Sequence, residues 1–362
     1  MTLHTPFTFR SGRAVRNRLV LAPLTNTQSH ADGTLGEDEL AFYVRRAKGG
    51  FGIIETCAAL VSPEGASFPG QLGVHSDAHL PGLTRIAEGV QALGALAVAQ
   101  LQHGGGRALP ELTGRPPLAP TAFVRDGSDR PAPHVPSTAE LENIGDAFIE
   151  AGLRCAKAGF GGVELHGAHG YLLNQLLSTD NDRDDAHGGS LENRARLLRR
   201  ITRDLRRRAP EDLLIGVRLS PEDFGAARGM DVDEMCTVAG WLVEDGVDVI
   251  HLSLWDHRKP SAKHPGVHPL ALFRKVLPPE IALVAAGAVW TREEAEAVLE
   301  LGADLVALGK SAILDPDWPL RSREPGFKPL RGPLAEAQFA ERAVGPAFVR
   351  YLERFEGMVK RG

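Results

Sequence analysis

Cysteine is scarce in this chain. Cys57, Cys155 and Cys236 are the whole complement of 362 residues. They lie far apart and form no Cys-x-x-Cys pair, which argues against a cysteine-built zinc or iron–sulfur site. A low, odd count also excludes a disulfide framework and suits a reducing compartment, so a cytoplasmic location is expected. Long apolar runs are missing too. No stretch approaches the roughly 20 residues that a membrane span needs, and Met1–Arg18 holds no signal-peptide core. No membrane partner is expected. Nor is there an excess of one charge: the net value of -5 gives no reason to expect a polyanion partner. No short-period repeat and no interdomain linker are visible. The one Pro/Gly-rich stretch, Gly104–Pro136, falls between two predicted strands and reads as a loop over a barrel mouth.

What is present is a packed, soluble composition, 43% apolar and 24% charged. Short apolar runs predict strands at Leu19–Leu24, Gly52–Cys57, Leu96–Leu101, Gly162–His166, Leu214–Leu219, Val247–Leu252, Ala282–Ala286 and Leu305–Leu308. They are apolar on both faces, as parallel strands covered by helices are. Amphipathic stretches alternate with them: Asp38–Lys48, Leu80–Leu93, Ala139–Ala158, Leu191–Arg208, Val232–Asp245 and Arg292–Leu301. Thr291, followed by Glu293 and Glu294, supplies an N-cap with first-turn acids. Eight strands with helices between them predict an α/β fold, a (β/α)8 TIM barrel, in one domain over 1–362. The barrel is expected over about 19–320 and a helical tail over about 321–362. The tail helices are expected near Pro333–Arg342 and Pro346–Phe355. Phe7–Val15 reads as an N-terminal hairpin, turning at Ser11-Gly12, that plugs the barrel bottom.

In such a barrel all strand ends meet on one face, where active sites form. Thr25, Gln100, His166, Arg218, Ser253, Gly287, Gly309 and Lys310 all stand at or near predicted strand ends. Ala286-Gly287-Ala288 and Gly309-Lys310-Ser311 follow strands seven and eight and precede helices. Backbone N–H groups there suit a phosphate, and Lys310 adds charge. One glycine loop alone would only end a strand, but two in these places favour a phosphate-bearing cofactor. His166, His169 and Tyr171 crowd into six residues. The segment is open to three readings: a metal site, two hydrogen-bond donors beside a phenol acid, or a solvent-facing strand end. No second ligand cluster is visible. His251, His257, His264 and His268 show no ligand spacing, so no metal is expected. Cys57 reads as a small buried residue rather than a reactive thiol. The arginines between Arg194 and Arg208 look basic enough for nucleic acid. Leu198, Ile201 and Leu205, however, form an apolar stripe, so an outer barrel helix is expected and no nucleic-acid partner.

Leu21-Ala22-Pro23-Leu24-Thr25, Gln100-Leu101, His166-Gly167-Ala168-His169-Gly170-Tyr171, Asn181-Asp182-Arg183, Gly188-Gly189-Ser190-Leu191-Glu192-Asn193-Arg194 and Gly216-Val217-Arg218-Leu219-Ser220 stand along the chain. Together these motifs resemble the Old Yellow Enzyme family of flavin-dependent ene-reductases. With the two glycine loops and Asp315-Pro316, the resemblance covers roughly residues 5–320. It implies a tightly bound FMN, with NADPH or NADH as hydride donor. It implies cofactor contacts from Ala22, Pro23, Thr25, Gln100, Arg218, Gly287, Gly309 and Lys310. Thr25 would face the flavin N5 edge, Gln100 the pyrimidine edge, and Arg218 the N1 and C2-oxygen side. His166 and His169 would bind the oxygen of a small activated alkene, and Tyr171 would protonate it. Thr27 and Trp255 are the further substrate-wall candidates.

Some positions depart from the family pattern. Thr25 stands where many bacterial members have cysteine. Thr27 or Asn26 replaces a tyrosine that often follows. Lys310 replaces the usual phosphate arginine, keeping charge without the bidentate fork. The Gly104–Gly106 run is unusual, and Arg107 has no assigned role. The alternatives are a non-catalytic flavin-binding barrel, or a related flavin barrel acting on dienoyl, amine or nitro substrates. A homo-oligomer is left open, with Gly345–Arg361 as the segment that would reach a neighbouring subunit.

Overall fold

The computed structural model describes residues 2–122 and 132–360. The middle of the Gly104–Pro136 loop and the Arg361 end of the tail lie outside the described residues. Eight parallel strands close on themselves. They are β1 (Leu19–Leu21), β2 (Ile53–Glu55), β3 (Leu96–Gln102), β4 (Gly162–Gly167), β5 (Leu214–Leu219), β6 (Val249–Ser253), β7 (Ala282–Ala286) and β8 (Leu305–Leu308). Each pairs with its neighbour in the chain, and β8 pairs with β1 to complete the ring.

The doubly apolar strands account for the closure. Alternate residues of β7 point opposite ways. Ala282, Val284 and Ala286 join an inner cluster with Val20, Val98 and Leu305, while Leu283 and Ala285 join the larger cluster beneath the helices. Each buried Val or Leu contributes about 1.5–3 kcal/mol. Phe7–Thr8 pairs antiparallel with Ala14–Val15. Gly12 takes the left-handed turn position at φ 84°. Phe9 and Val15 then close the barrel bottom against the inner cluster.

Strand bounds differ from expectation where a backbone donor is lost or borrowed. β1 stops at Leu21 because Pro23 has no N–H to offer. β6 begins two residues late because Asp248 is a clamp: its carboxylate accepts from the Ile215 N–H at 2.8 Å and from Arg10 at 2.7 Å. The helix Pro269–Val276 was not anticipated, since two turns are too short to display a clear period.

The tail folds back over the barrel mouth. Its helices are Glu336–Ala340 and Pro346–Leu352. Phe348 packs edge-on to Phe42 at 5.4 Å, and the buried Arg46 donates to the Arg342 carbonyl at 2.8 Å. In the helix Leu191–Arg208 the arginines meet carboxylates: Arg199 pairs with Asp245, Arg206 with Asp248 and Arg208 with Glu150. It is an outer barrel helix, as its stripe predicts. Among the described residues no helix is long and apolar enough to cross a membrane.

Candidate active site

The register aligns the predicted strand-end residues. His166 of β4 lies beside Arg218 of β5, and Arg218 beside His251 of β6. After β4 the chain turns sharply: His169 takes φ 62° and Gly170 φ 73°. A Cβ on Gly170 would sit 2.4 Å from the Ala226 carbonyl oxygen, so only glycine fits. The turn gathers the three expected residues. The His166 ring is 4.9 Å from that of His169 and 5.0 Å from that of Tyr171. Burial first, then His169 and Arg218 at His166 and Arg218 at His169, pull both imidazoles well below the ordinary histidine range. Both are therefore neutral N–H donors. His169 Nε2 is 2.6 Å from Ser253 Oγ, which also accepts from Arg218 at 3.3 Å.

Arg107 joins this group, which sequence reasoning missed. Its guanidinium lies 4.5 Å from the Tyr171 ring centre and donates to the His169 carbonyl at 2.6 Å. The glycine run before it was the available signal. A Cβ on Gly105 would meet Gln175 Oε1 at 2.5 Å and Leu172 Cα at 2.9 Å. Glycine lets this loop press against the chain just after Tyr171.

Beneath them is a buried polar layer. Gln100 Nε2 donates to Glu164 Oε1 at 2.7 Å, and His251 Nδ1 lies 2.7 Å from Glu164 Oε2. Glu55 of β2 stands beside them, its Oε2 3.8 Å from His251 Nδ1. Neither Glu55 nor His251 was selected from sequence, because their partners are about 90 to 200 residues away along the chain.

At the β1 end, Ala22 is buried while Pro23 and Thr25 are half-buried. Asn26 turns inward to Glu39 at 2.8 Å, and the Thr27 hydroxyl donates to the Ala347 carbonyl at 3.1 Å. Thr27 therefore holds the tail. Tyr351 of the tail lies against Thr25 and near Tyr171, and burial, ahead of its neighbours, pushes its phenol up. A tyrosine reaches the mouth from the C-terminal side. Cys57 is buried, its thiol 3.2 Å from Glu39. Trp255 is 66% exposed and packs at a tilt, 5.9 Å between ring centres, against Phe224, which lies 6.5 Å from His169.

Gly287 follows β7 and is glycine for a packing reason, since a Cβ would lie 2.5 Å from the Leu254 oxygen. Its carbonyl accepts from the His257 N–H at 3.0 Å and thus fixes the loop after β6. Gly309 starts the short helix Lys310–Leu314, and the exposed Lys310 ammonium lies 5.1 Å from the Phe355 ring centre. The Gly-Gly-Ser-x-Glu-Asn-Arg run is a clamp. Ser190 caps the helix, and the buried Arg194 grips Glu234 at 2.7 and 2.9 Å and the Leu177 carbonyl at 2.6 Å. It holds the chain that follows Tyr171.

These residues fit a flavin phosphate ester. Buried Arg218 Nε and His166 Nδ1 have no partner among the described residues. A buried cation with an unpartnered Nε, with glycine-started loops and a lysine at the neighbouring strand ends, suits the polar ring edge and the phosphate of FMN. The profile of the NADH:flavin oxidoreductase / NADH oxidase family matches residues 2–325. A probable NADH-dependent flavin oxidoreductase of Bacillus subtilis, YqiG, is 37% identical over 331 residues, covering 89% of this chain and 88% of that protein. Among solved structures, an Old Yellow Enzyme homologue from Zymomonas mobilis is 28% identical with a TM-score of 0.80, covering 94% of this chain and 96% of that one. Morphinone reductase in complex with tetrahydroNAD is 27% identical with a TM-score of 0.82, covering 94% of each chain. The chain belongs to the NADH:flavin oxidoreductase / NADH oxidase family, and is an oxidoreductase of the Old Yellow Enzyme type that uses FMN with NADH or NADPH.

Proposed function

We propose that this enzyme reduces activated C=C bonds in α,β-unsaturated carbonyl or nitro compounds. The observation that carries the reading is the grouping of two neutral imidazoles and one phenol within about 5 Å at the barrel mouth. Bound FMN would supply the hydride from N5, replenished by NADH or NADPH. His166 and His169 donate N–H to the substrate's electron-withdrawing oxygen, where negative charge develops. Both stay uncharged because His166 is buried and His169 half-buried beside Arg218, so each retains a donor without adding a second proton. Tyr171 gives the proton to the α-carbon. The Arg107 guanidinium over its ring holds the phenol in position.

Arg218 and Gln100 are assigned to the flavin pyrimidine side, Thr25 to the N5 edge, and Ala22 and Pro23 to the ring. Gly287, Gly309 and Lys310 are assigned to the phosphate end. Phe224, Trp255 and Tyr351 form the substrate wall. The test is NADPH and NADH oxidation by FMN-loaded protein with and without 2-cyclohexenone. Alkene-dependent turnover is expected. Its absence, with flavin bound and reducible, would favour a non-catalytic flavin-binding barrel.

A further inference from the structure

The layer below the mouth contains acids that the proposed chemistry does not use. Glu55, Glu164 and His251 are 5%, 2% and 0% exposed. A cavity of about 20 Å³ lies against both carboxylates, with apolar walls from Phe9, Val98, Leu214 and Val249. Glu164 is well supplied with partners: Gln100 and His251 donate to its two oxygens, and Arg218 faces it. Glu55 Oε2 has no hydrogen-bond partner among the described residues, and His251 Nε2 has none either.

We propose that Glu55 holds a proton inside the barrel and so reserves the charge of Arg218 for the flavin edge above it. Glu55 is then a positioning residue for the oxidoreduction, and this consequence rests on the flavin reading of the mouth. Two carboxylates in a low-dielectric layer, faced by one guanidinium, do not both ionise cheaply. Glu164 has the donors and keeps the charge, which leaves the proton on Glu55. Burial, then the charge of Glu164, pushes the Glu55 carboxyl well up, and Arg218 offsets this only in part. The titratable groups facing it are Glu164 from β4, Arg218 from β5 and His251 from β6. The hairpin and the other strands bring Phe9, Val20, Val98, Gln100, Val284 and Leu305 to the barrel interior. With Glu55 protonated, the layer holds one anion against one cation. With Glu55 ionised it would carry a net negative charge beneath the place where reduced flavin is also negative.

A divalent cation is the competing source of countercharge, since one ligand atom from each of the three side chains lies within 4.8 Å of the others. The fixed charge of Arg218 and the engagement of both Glu164 oxygens disfavour it.

Glu55→Gln tests the proposal, because it keeps the shape and removes the proton exchange. In the flavin-free protein the sign is set by linkage. The Glu55 pKa is raised on folding, so its contribution is whole below its unfolded value of about 4.3 and is lost as pH rises through the folded value. The wild-type melting temperature should fall on the alkaline side, and Glu55→Gln should lose that fall. In the FMN-loaded protein, the flavin midpoint potential should drop more steeply with rising pH in the wild type than in Glu55→Gln. Superimposable melting profiles would overturn the proton. So would one equivalent of metal in the wild type that is missing from Glu55→Gln. A flattened melting profile with unchanged potentials would overturn the coupling to Arg218 and leave the flavin reading intact. Failure to bind FMN at all would sink that reading and leave the melting profiles to decide the proton. Should Glu55→Gln not fold, the infrared spectrum of the wild type at about pH 8, where exposed carboxyls are ionised, decides instead: a protonated-carboxyl band supports the proposal and its absence overturns it.

Discussion

His169 and Ser253 come from different strand ends, yet His169 Nε2 and Ser253 Oγ are 2.6 Å apart. The contact orients the His169 ring. Arg218, 3.3 Å from the same oxygen, can only donate. Ser253 Oγ thus takes one hydrogen bond from Arg218 and keeps its own proton and a second lone pair for His169 Nε2. Ser253→Ala is expected to free the ring and weaken phenolate binding about five- to tenfold, the worth of one hydrogen bond. Titration of the long-wavelength band that such ligands give on a flavin measures this. An unchanged affinity would mean the ring is held in place by other contacts.

The two histidines also predict a pH dependence. Their folded pKa values are lowered, by burial first. The unfolded chain binds protons more readily from about pH 6.5 downward. Their share of stability is therefore present above that pH and is lost as pH falls below it. The wild-type melting temperature should decline in acid, and His166→Ala should decline less. The same variant, and His169→Ala, should weaken phenolate binding by roughly ten- to a hundredfold, since a hydrogen bond to a charged group is worth about 1.5–3 kcal/mol. A normal phenolate titration in both variants would remove them from the oxygen-binding role.

Arg194 tests the part of the motif that has no contact with the chemistry. It is buried, holds Glu234 with two nitrogens and caps the Leu177 carbonyl. Arg194→Ala leaves those acceptors unpaired. A loss of roughly 2–4 kcal/mol is expected, less than for a fully buried pair because Glu234 is partly solvated. Urea unfolding measures it. A change below about 1 kcal/mol would mean that water replaces the guanidinium without cost.

Most of the barrel is legible in the chain because each strand carries its own signal. Leu214–Leu219, Ala282–Ala286 and Leu305–Leu308 match the predicted bounds residue for residue. The strand-end residues were legible for the same reason, since a parallel barrel brings all its ends to one face. What escaped depends on contacts between distant segments. Nothing near Glu55 announces Glu164 or His251, and nothing near Tyr351 announces Thr25, some 326 residues away. Arg107 was hidden by the flexibility that its glycines suggest, although those glycines serve close packing on Gln175 and Leu172.

Tyr351 gives a prediction that separates wall from scaffold. Phe348 and Phe355 carry the packing of this tail segment, the first against Phe42 and the second beneath Lys310. Tyr351→Phe keeps the ring and loses only the hydroxyl near Thr25. FMN content and melting temperature should hold, while KM for an enone should change by a few-fold, about 1 kcal/mol for one hydrogen bond. Equal KM values across a panel of enones would return Tyr351 to a purely structural role.

Tyr171→Phe is the most discriminating variant. The phenol stands next to His166 and under Arg107, and its loss leaves both rings and the turn in place. Flavin reduction by NADH or NADPH needs no proton from it and should proceed at the wild-type rate. Alkene reduction should slow by about 10²–10⁴-fold, the usual worth of a positioned general acid. Stopped-flow measurement of each half-reaction separates the two. A parallel fall in both rates would mean that Tyr171 shapes the site for either ligand, and the proton would then have to come from another donor at the mouth. Tyr351 is the other phenol there, and the double variant with Tyr351→Phe would identify it by losing the residual rate.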